Sequence, residues 1–233
     1  MKTLRQLILI LGGARSGKSA FAERLARSCG PRVLYVATAQ AGDAEMEERI
    51  ANHQAARPET WTTVEEPLRL AEAVGEAKGF DAVLVDCLTL WVSNRMLAPD
   101  ASGLAVPGEE PQAMEEALLA EVGRVLDAHR RGAATLILVS NEVGLGLVPP
   151  NPLGRAYRDL LGRVNQTFAE AANRVYMLVA GVAVDVKALP GAVLTPSGRP
   201  PERPSRKRLY TTSEAERIQR MLEARERRRG NGL

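Results

Sequence analysis

Five runs of consecutive apolar residues recur along the chain: Leu7–Leu11, Val33–Ala37, Ala82–Asp86, Thr135–Val139 and Val175–Val179. None alternates with polar residues. Continuous apolar runs of this length fit strands buried on both faces. Between them the apolar positions recur at helical spacing. The pattern predicts helices over Lys18–Ser28, Ala44–Ala56, Pro67–Lys78, Leu88–Leu97, Gln112–Arg131 and Leu153–Asn173. Asp43 reads as an N-cap for the second, with Glu45, Glu47 and Glu48 in its early turns. Alternating strands and helices predict an α/β fold with a mostly parallel sheet covered by helices.

Two stretches break the alternation. Ala98–Pro111, with Pro, Gly, Asp and Ser, reads as a surface loop, and Pro190–Pro204, with 5 prolines, reads as a linker. Ser213–Arg229 has helical spacing but dense charge, which fits a solvated tail or a surface helix. The predicted division is a catalytic domain over 1–187 and a Pro/Arg-rich extension over 188–233.

Charge sharpens that division. The formal net charge is +3, from 31 Lys and Arg against 28 Asp and Glu. Residues after Lys187 hold 11 of the basic and 5 of the acidic residues, which leaves 20 basic and 23 acidic in the body. A slightly acidic body with 4% aromatics argues against a nucleic-acid partner. No apolar run is long enough to span a membrane. The N-terminal run is too short for a signal peptide, and Cys29 and Cys87 are the only cysteines. Those features predict a cytoplasmic chain with reduced thiols.

The strongest chemical signal follows the first strand. Gly12-Gly13-Ala14-Arg15-Ser16-Gly17-Lys18-Ser19 fits G-x-x-x-x-G-K-[ST] between a strand and a helix. Backbone N–H groups of such a loop cradle phosphates, and the helix dipole faces them. Lys18 can reach the β- and γ-phosphates and the Ser19 hydroxyl can ligate Mg²⁺. Asp86 closes the run Ala82-Val83-Leu84-Val85, the pattern of an acid that holds Mg²⁺ at the carboxyl edge of a parallel sheet. Thr38 follows the second strand, where a hydroxyl either meets a ligand or closes a turn. Asn141 and Glu142 follow the fourth run. Glu142 either handles a proton or caps the next segment.

Two histidines remain. In the predicted helix His53 has Arg49 at i−4 and Arg57 at i+4 on one face. Guanidinium groups there would attract phosphate oxygens and disfavour the imidazolium form. A surface histidine in an arginine-rich helix has the same spacing. His129 stands near a helix end beside Arg130 and Arg131, where a histidine suits the dipole without further function.

Several segments together resemble the bifunctional adenosylcobinamide kinase / adenosylcobinamide-phosphate guanylyltransferase family. They are GGARSGKS at Gly12–Ser19, VATA at Val36–Ala39, RIANHQAARP at Arg49–Pro58, LVSNEVGLGLVP at Leu138–Pro149 and GRVNQ at Gly162–Gln166. The resemblance runs from about Leu7 to Lys187. It implies a RecA-like phosphate-loop fold, a homotrimer, and two reactions in cobalamin assembly. The first phosphorylates adenosylcobinamide. The second transfers GMP from GTP to the resulting phosphate through a guanylylated histidine. His53 falls on the guanylylated position. Gly12, Gly13, Ala14, Arg15, Ser16, Gly17, Lys18, Ser19, Ala37, Thr38, Ala39, Gln54, Ala55, Ala56, Arg57, Glu65 and Asp86 fall on GTP-contacting segments. Some members carry paired histidines where this chain has Asn52-His53, and some carry Glu where Asp86 stands. The implied cofactors are GTP, with ATP an alternative donor for the kinase step, and Mg²⁺. Set against this reading are a simple small-molecule kinase without a covalent intermediate, a nucleic-acid motor, and a GTP-dependent switch. A motor calls for a basic body, and a switch calls for N-K-x-D, which the chain lacks.

Overall fold

The computed structural model describes residues 5–40, 58–97 and 111–190. The predicted helix over 44–56, the loop over 98–110, and everything after Pro190 lie outside the described residues, as do Arg49, His53, Gln54, Ala55, Ala56 and Arg57. Contacts divide the chain at Leu189 and Pro190, and the elements below belong to the first unit.

The described strands are β1 (Leu7–Gly12), β2 (Val33–Ala37), β3 (Thr62–Glu65), β4 (Ala82–Asp86), β5 (Thr135–Val139), β6 (Arg174–Val179) and β7 (Val182–Asp185). They form one sheet in the order β3-β2-β4-β5-β1-β6-β7. All neighbours are parallel except β6 and β7. β5 lies between the strand that enters the Gly-rich loop and the strand that ends at Asp86, which is the RecA-like arrangement.

The described helices are α1 (Lys18–Cys29), α2 (Leu70–Gly75), α3 (Leu88–Leu97), α4 (Pro111–Arg131) and α5 (Pro152–Ala171). The apolar runs explain the layering, because successive residues of a strand point to opposite faces. Leu7, Leu9, Leu34, Val36, Val83, Val85, Leu136 and Leu138 face α2–α5 in one core. Ile8, Ile10, Val33, Tyr35, Leu84, Ile137 and Val139 face α1 in the other. Ala22 and Ala26, one turn apart and fully buried, let α1 lie close against β1, β4 and β5.

Three of the five strand predictions match the observed limits, and β1 and β6 each gain one residue. Two strands were not among the predicted ones. β3, Thr-Thr-Val-Glu, is exposed throughout, and β7 is a short antiparallel edge strand. The helix expected over Pro67–Lys78 is shorter, Leu70–Gly75. Before it, the Glu66 carboxylate accepts the N–H groups of Leu68 and Arg69, which holds that stretch in a turn. α5 starts at Pro152 because the Asn151 side chain accepts the Gly154 N–H at 2.6 Å.

Candidate functional site

Parallel strands place their carboxyl ends on one edge, and the register fixes which residues meet there. Glu65, Ala37, Asp86 and Val139 pair in one row across β3, β2, β4 and β5. A cavity of about 680 Å³ opens over this row. It is lined by Ala14–Ser19 of the loop, by Tyr35, Ala37, Ala39, Glu65 and Asp86, and by Cys87, Thr89, Leu90, Val139 and Asn141.

The loop owes its path to glycine. A Cβ on Gly12 would stand 2.6 Å from the Leu178 carbonyl oxygen and 2.8 Å from Ser16 Oγ. Gly17, at φ 92°, turns the chain into α1 in the left-handed region. The Gly181 N–H donates to the Ser16 carbonyl at 3.0 Å, so the β6–β7 turn braces the loop from behind. That turn uses two residues, Ala180 and Gly181, both at positive φ. Paired positive φ values suit the twist of a tight antiparallel hairpin.

Lys18 is buried beneath the loop, and its Nζ donates to the Gly13 carbonyl at 2.6 Å. Burial pushes the ammonium below the usual lysine range, while Cys87 and Asp86 pull it back up. Ser16 Oγ is buried with no hydrogen-bond partner among the described residues. A hydroxyl left so inside a loop of inward N–H groups fits an acceptor such as a phosphate oxygen. Ser19 and Asp86 give the same cavity a hydroxyl and a carboxylate. Among the described residues no cluster of three His, Cys, Asp or Glu side chains could enclose a metal. An oxygen pair without such a cage suits a hard cation that takes its other ligands from phosphates and water.

Asp86 does not stand alone. The Tyr35 phenol donates to its Oδ2 at 3.0 Å. Thr38 has a different task from lining the cavity. Fully buried, its Oγ1 donates to the Cys87 carbonyl at 2.7 Å and accepts the Cys87 N–H at 2.8 Å. Its own carbonyl accepts from Asn94 Nδ2. Thr38 therefore ties the end of β2 to the residue after Asp86. Burial pushes the Cys87 thiol up to about 11, with the Asp86 charge adding to it, so the thiol stays protonated at neutral pH.

Across the cavity Asn141 is fixed through its backbone. Its N–H donates to Thr89 Oγ1 at 2.9 Å, and its carbonyl accepts from Asn165 Nδ2 at 3.0 Å. The Tyr157 hydroxyl donates to the Thr89 carbonyl at 3.2 Å. The GRVNQ segment thus acts from behind, with buried Asn165 holding the tip of β5. Glu142 makes no side-chain cap on the following 3₁₀ turn and is not among the cavity residues.

The expectations therefore divide. Ala14–Ser19, Ala37, Ala39, Glu65 and Asp86 converge on one cavity, with Gly12 and Gly13 shaping the turn and Thr38 clamping the edge. Tyr35, Cys87, Thr89 and Leu90 join them without having been singled out in the sequence. Strand alternation could have found Tyr35, which lies two residues before Ala37 on the same face. His129 departs from the expectation that it suits a helix dipole. It is 9% exposed and lines a second cavity of about 500 Å³ with Val74, Lys78 and Arg131. Burial, with Arg5 and Arg130 nearby, pushes it down to about 4, so it is neutral and complements no dipole at neutral pH.

A family model described as "Cobinamide kinase / cobinamide phosphate guanyltransferase" matches residues 8–186. The "Bifunctional adenosylcobalamin biosynthesis protein CobP" of Pseudomonas aeruginosa is 49% identical over 183 residues, 78% of this chain and 98% of that protein. The corresponding protein of Escherichia coli, named CobU, is 44% identical over 183 residues, 78% of this chain and 99% of its own length. Among solved structures, the flagellar accessory protein FlaH from Methanocaldococcus jannaschii aligns at a TM-score of 0.42 and 16% identity, over 76% of this chain and 74% of that one.

Proposed function

The chain belongs to the cobinamide kinase / cobinamide phosphate guanyltransferase family, a kinase and nucleotidyltransferase of cobalamin biosynthesis, and from that premise we propose a two-step reaction at the loop cavity. Adenosylcobinamide is phosphorylated on its aminopropanol hydroxyl. GMP then moves from GTP to that phosphate by way of His53, giving adenosylcobinamide-GDP. The observation that carries the reading is the convergence of Lys18, Ser19 and Asp86 on one cavity beside the unpartnered Ser16 hydroxyl.

In the first step the acceptor hydroxyl attacks the γ-phosphorus and gives its proton to solvent, the bond from that phosphorus to the bridging β-phosphate oxygen breaks, and the nucleoside diphosphate leaves. Lys18 leaves the Gly13 carbonyl for the β- and γ-oxygens, and the loop N–H groups hold the chain in line. Ser19 and Asp86 are the residues that would hold Mg²⁺. When bound, the ion neutralises charge on the phosphate oxygens. GTP is the donor read here, with ATP the alternative for this step.

In the second step a neutral His53 nitrogen attacks the α-phosphorus of GTP. A P–N bond forms and pyrophosphate leaves. The cobinamide phosphate oxygen then attacks the same phosphorus, the P–N bond breaks, and the imidazole is restored. Splitting one displacement into two is nucleophilic catalysis. Gln54, Ala55, Ala56, Arg57 and Glu65 complete the GTP contacts in this reading.

The same reading takes 1–187 as the catalytic domain, working in the cytoplasm as a homotrimer, and 188–233 as an extension. The family match ending at residue 186 supports that boundary. The test supplies pure protein with adenosylcobinamide, GTP and Mg²⁺. Phosphorylated and guanylylated corrinoids should form in order, with GMP on the protein when the acceptor is withheld. Guanylylated corrinoid without any protein-bound GMP would overturn the histidine route and leave direct transfer.

A further inference from the structure

The phenol of Tyr35 is the one polar group on the α1 face of β2. Tyr35 is 3% exposed, and a phenylalanine would fill the same space. Its ring stacks on Trp61, with centroids 6.4 Å apart and 28° between planes. The Arg27 guanidinium lies 5.6 Å over the other ring of that pair, from the helix that Lys18 and Ser19 open. Packing therefore fixes the ring, and the hydroxyl is left to choose a partner. A buried phenol usually finds one. Here it donates to Asp86 Oδ2 at 3.0 Å, which makes it a charge-assisted bond.

Register explains how the two meet. Ala37 pairs with Asp86 and Tyr35 with Leu84, so Tyr35 approaches Asp86 diagonally on the same face of adjacent strands. The terminal torsion of an aspartate is broad. Lys18 lines the same cavity as Asp86, and a free carboxylate there would turn toward its ammonium.

We propose that Tyr35 is a positioning residue for Asp86, holding Oδ2 so that Oδ1 faces the cation that accompanies a bound nucleoside triphosphate. The inference rests on Asp86 serving that cation, as read above. Lys18 and Asp86 then keep separate tasks, one on phosphate and one on metal.

Mn²⁺ is the probe, titrated into the full chain with saturating GTP and followed through the loss of the free-ion electron paramagnetic resonance signal. Tyr35→Phe removes the hydroxyl and keeps the stacked ring. It should weaken Mn²⁺ binding roughly tenfold, the loss of one hydrogen bond to a charged group. GTP binding without metal should be unchanged, and the melting temperature should fall by a few degrees at most. The Mg²⁺ concentration for half-maximal kinase activity should rise with the same ratio. In the Asp86→Asn background Tyr35→Phe should add nothing further. Weaker Mn²⁺ binding in Asp86→Asn with unchanged binding in Tyr35→Phe would overturn the role of Tyr35 alone. A further loss in the double variant would also overturn it, since Tyr35 would then act through another group. Unchanged Mn²⁺ binding in Asp86→Asn would overturn the reading of Asp86 itself and this inference with it.

Discussion

Lys18 Nζ donates to the carbonyl oxygen of Gly13 at 2.6 Å, across the mouth of the loop that both residues belong to. The contact spans one loop turn and holds a partly desolvated ammonium where phosphate oxygens would lie. A backbone carbonyl is a weaker partner for an ammonium than a doubly charged phosphate. The contact therefore keeps the lysine in place without competing seriously with a triphosphate.

Lys18→Ala is expected to lose both reactions, because both draw on the same bound triphosphate. The drop should be about 100-fold or more in kcat/KM for each, the range for losing one preorganised charge contact in a closed site. Parallel assays of phosphate and GMP transfer check it. One activity surviving at near-normal rate would mean that the two steps use separate triphosphate positions.

Thr38→Val tests the clamp between β2 and the residue after Asp86. The swap keeps the shape and removes a hydroxyl that serves Cys87 twice. The buried Cys87 N–H loses its partner, and the Cys87 carbonyl keeps only the Trp91 N–H. The expected cost is about 2–3 kcal/mol, read from denaturant unfolding. Activity should fall with it, since Asp86 precedes the freed peptide. A loss of activity at unchanged stability would instead point to direct ligand contact by the hydroxyl.

Much of the fold was legible because the five apolar runs are buried on both faces and need no tertiary knowledge to be seen. Thr62–Glu65 was not, since an exposed edge strand carries no apolar signature and exists by pairing with β2. The loop and Asp86 were legible through spacing that phosphate chemistry dictates. Alternation along β2 puts Tyr35 on the face of Ala37, but its contact with Asp86 was hidden, because it depends on β2 lying beside β4, an order that no local pattern encodes. His129 misled for a related reason. Its place near a helix end reads as a match to the dipole, whereas α4 turns the imidazole into a cavity shared with Ala134 and Leu136.

His129 also gives stability a pH dependence. Its folded value is pushed down to about 4 from 6.5 by burial. The unfolded chain takes up its proton near 6.5, and the folded chain only near 4. The contribution is therefore complete above pH 6.5, shrinks as pH falls between those values, and levels off below about 4. The loss should be about 1–3 kcal/mol across that window. His129→Leu should flatten this part of a plot of melting temperature against pH. An unchanged slope would show that the imidazole is hydrated and titrates normally.

Cutting the chain after Leu189 should leave a folded, active enzyme. Lys187 is the last anchor before the cut, donating to the carbonyls of Ala172 and Glu170 at the end of α5. Those are the carbonyls that a helix end leaves without partners. Removing residues 190–233 spares the anchor, whereas Lys187→Ala in the truncated chain should lower its melting temperature. Both melts, with phosphate and GMP transfer measured on each, check the boundary. A sharp fall in turnover on truncation alone would place the extension in the working enzyme.

GTP and Mg²⁺ should add one GMP to the protein and release pyrophosphate. A phosphoramidate is cleaved by acid and survives alkali, unlike an acyl phosphate, so its lability identifies the linkage before any residue is mapped. His53→Ala should abolish the adduct and GMP transfer. It should spare most phosphate transfer, since attack at the γ-phosphorus depends on Lys18 and metal rather than on an imidazole. His129→Ala is the matched control. Its ring lines the second cavity with Val74 and Arg131, away from the loop residues, so the adduct should persist. Intact mass spectrometry of the three proteins after GTP treatment decides the matter. An adduct retained by His53→Ala, or mapped to His129, would remove the guanylyl-histidine route while leaving the loop cavity as the site of phosphate transfer.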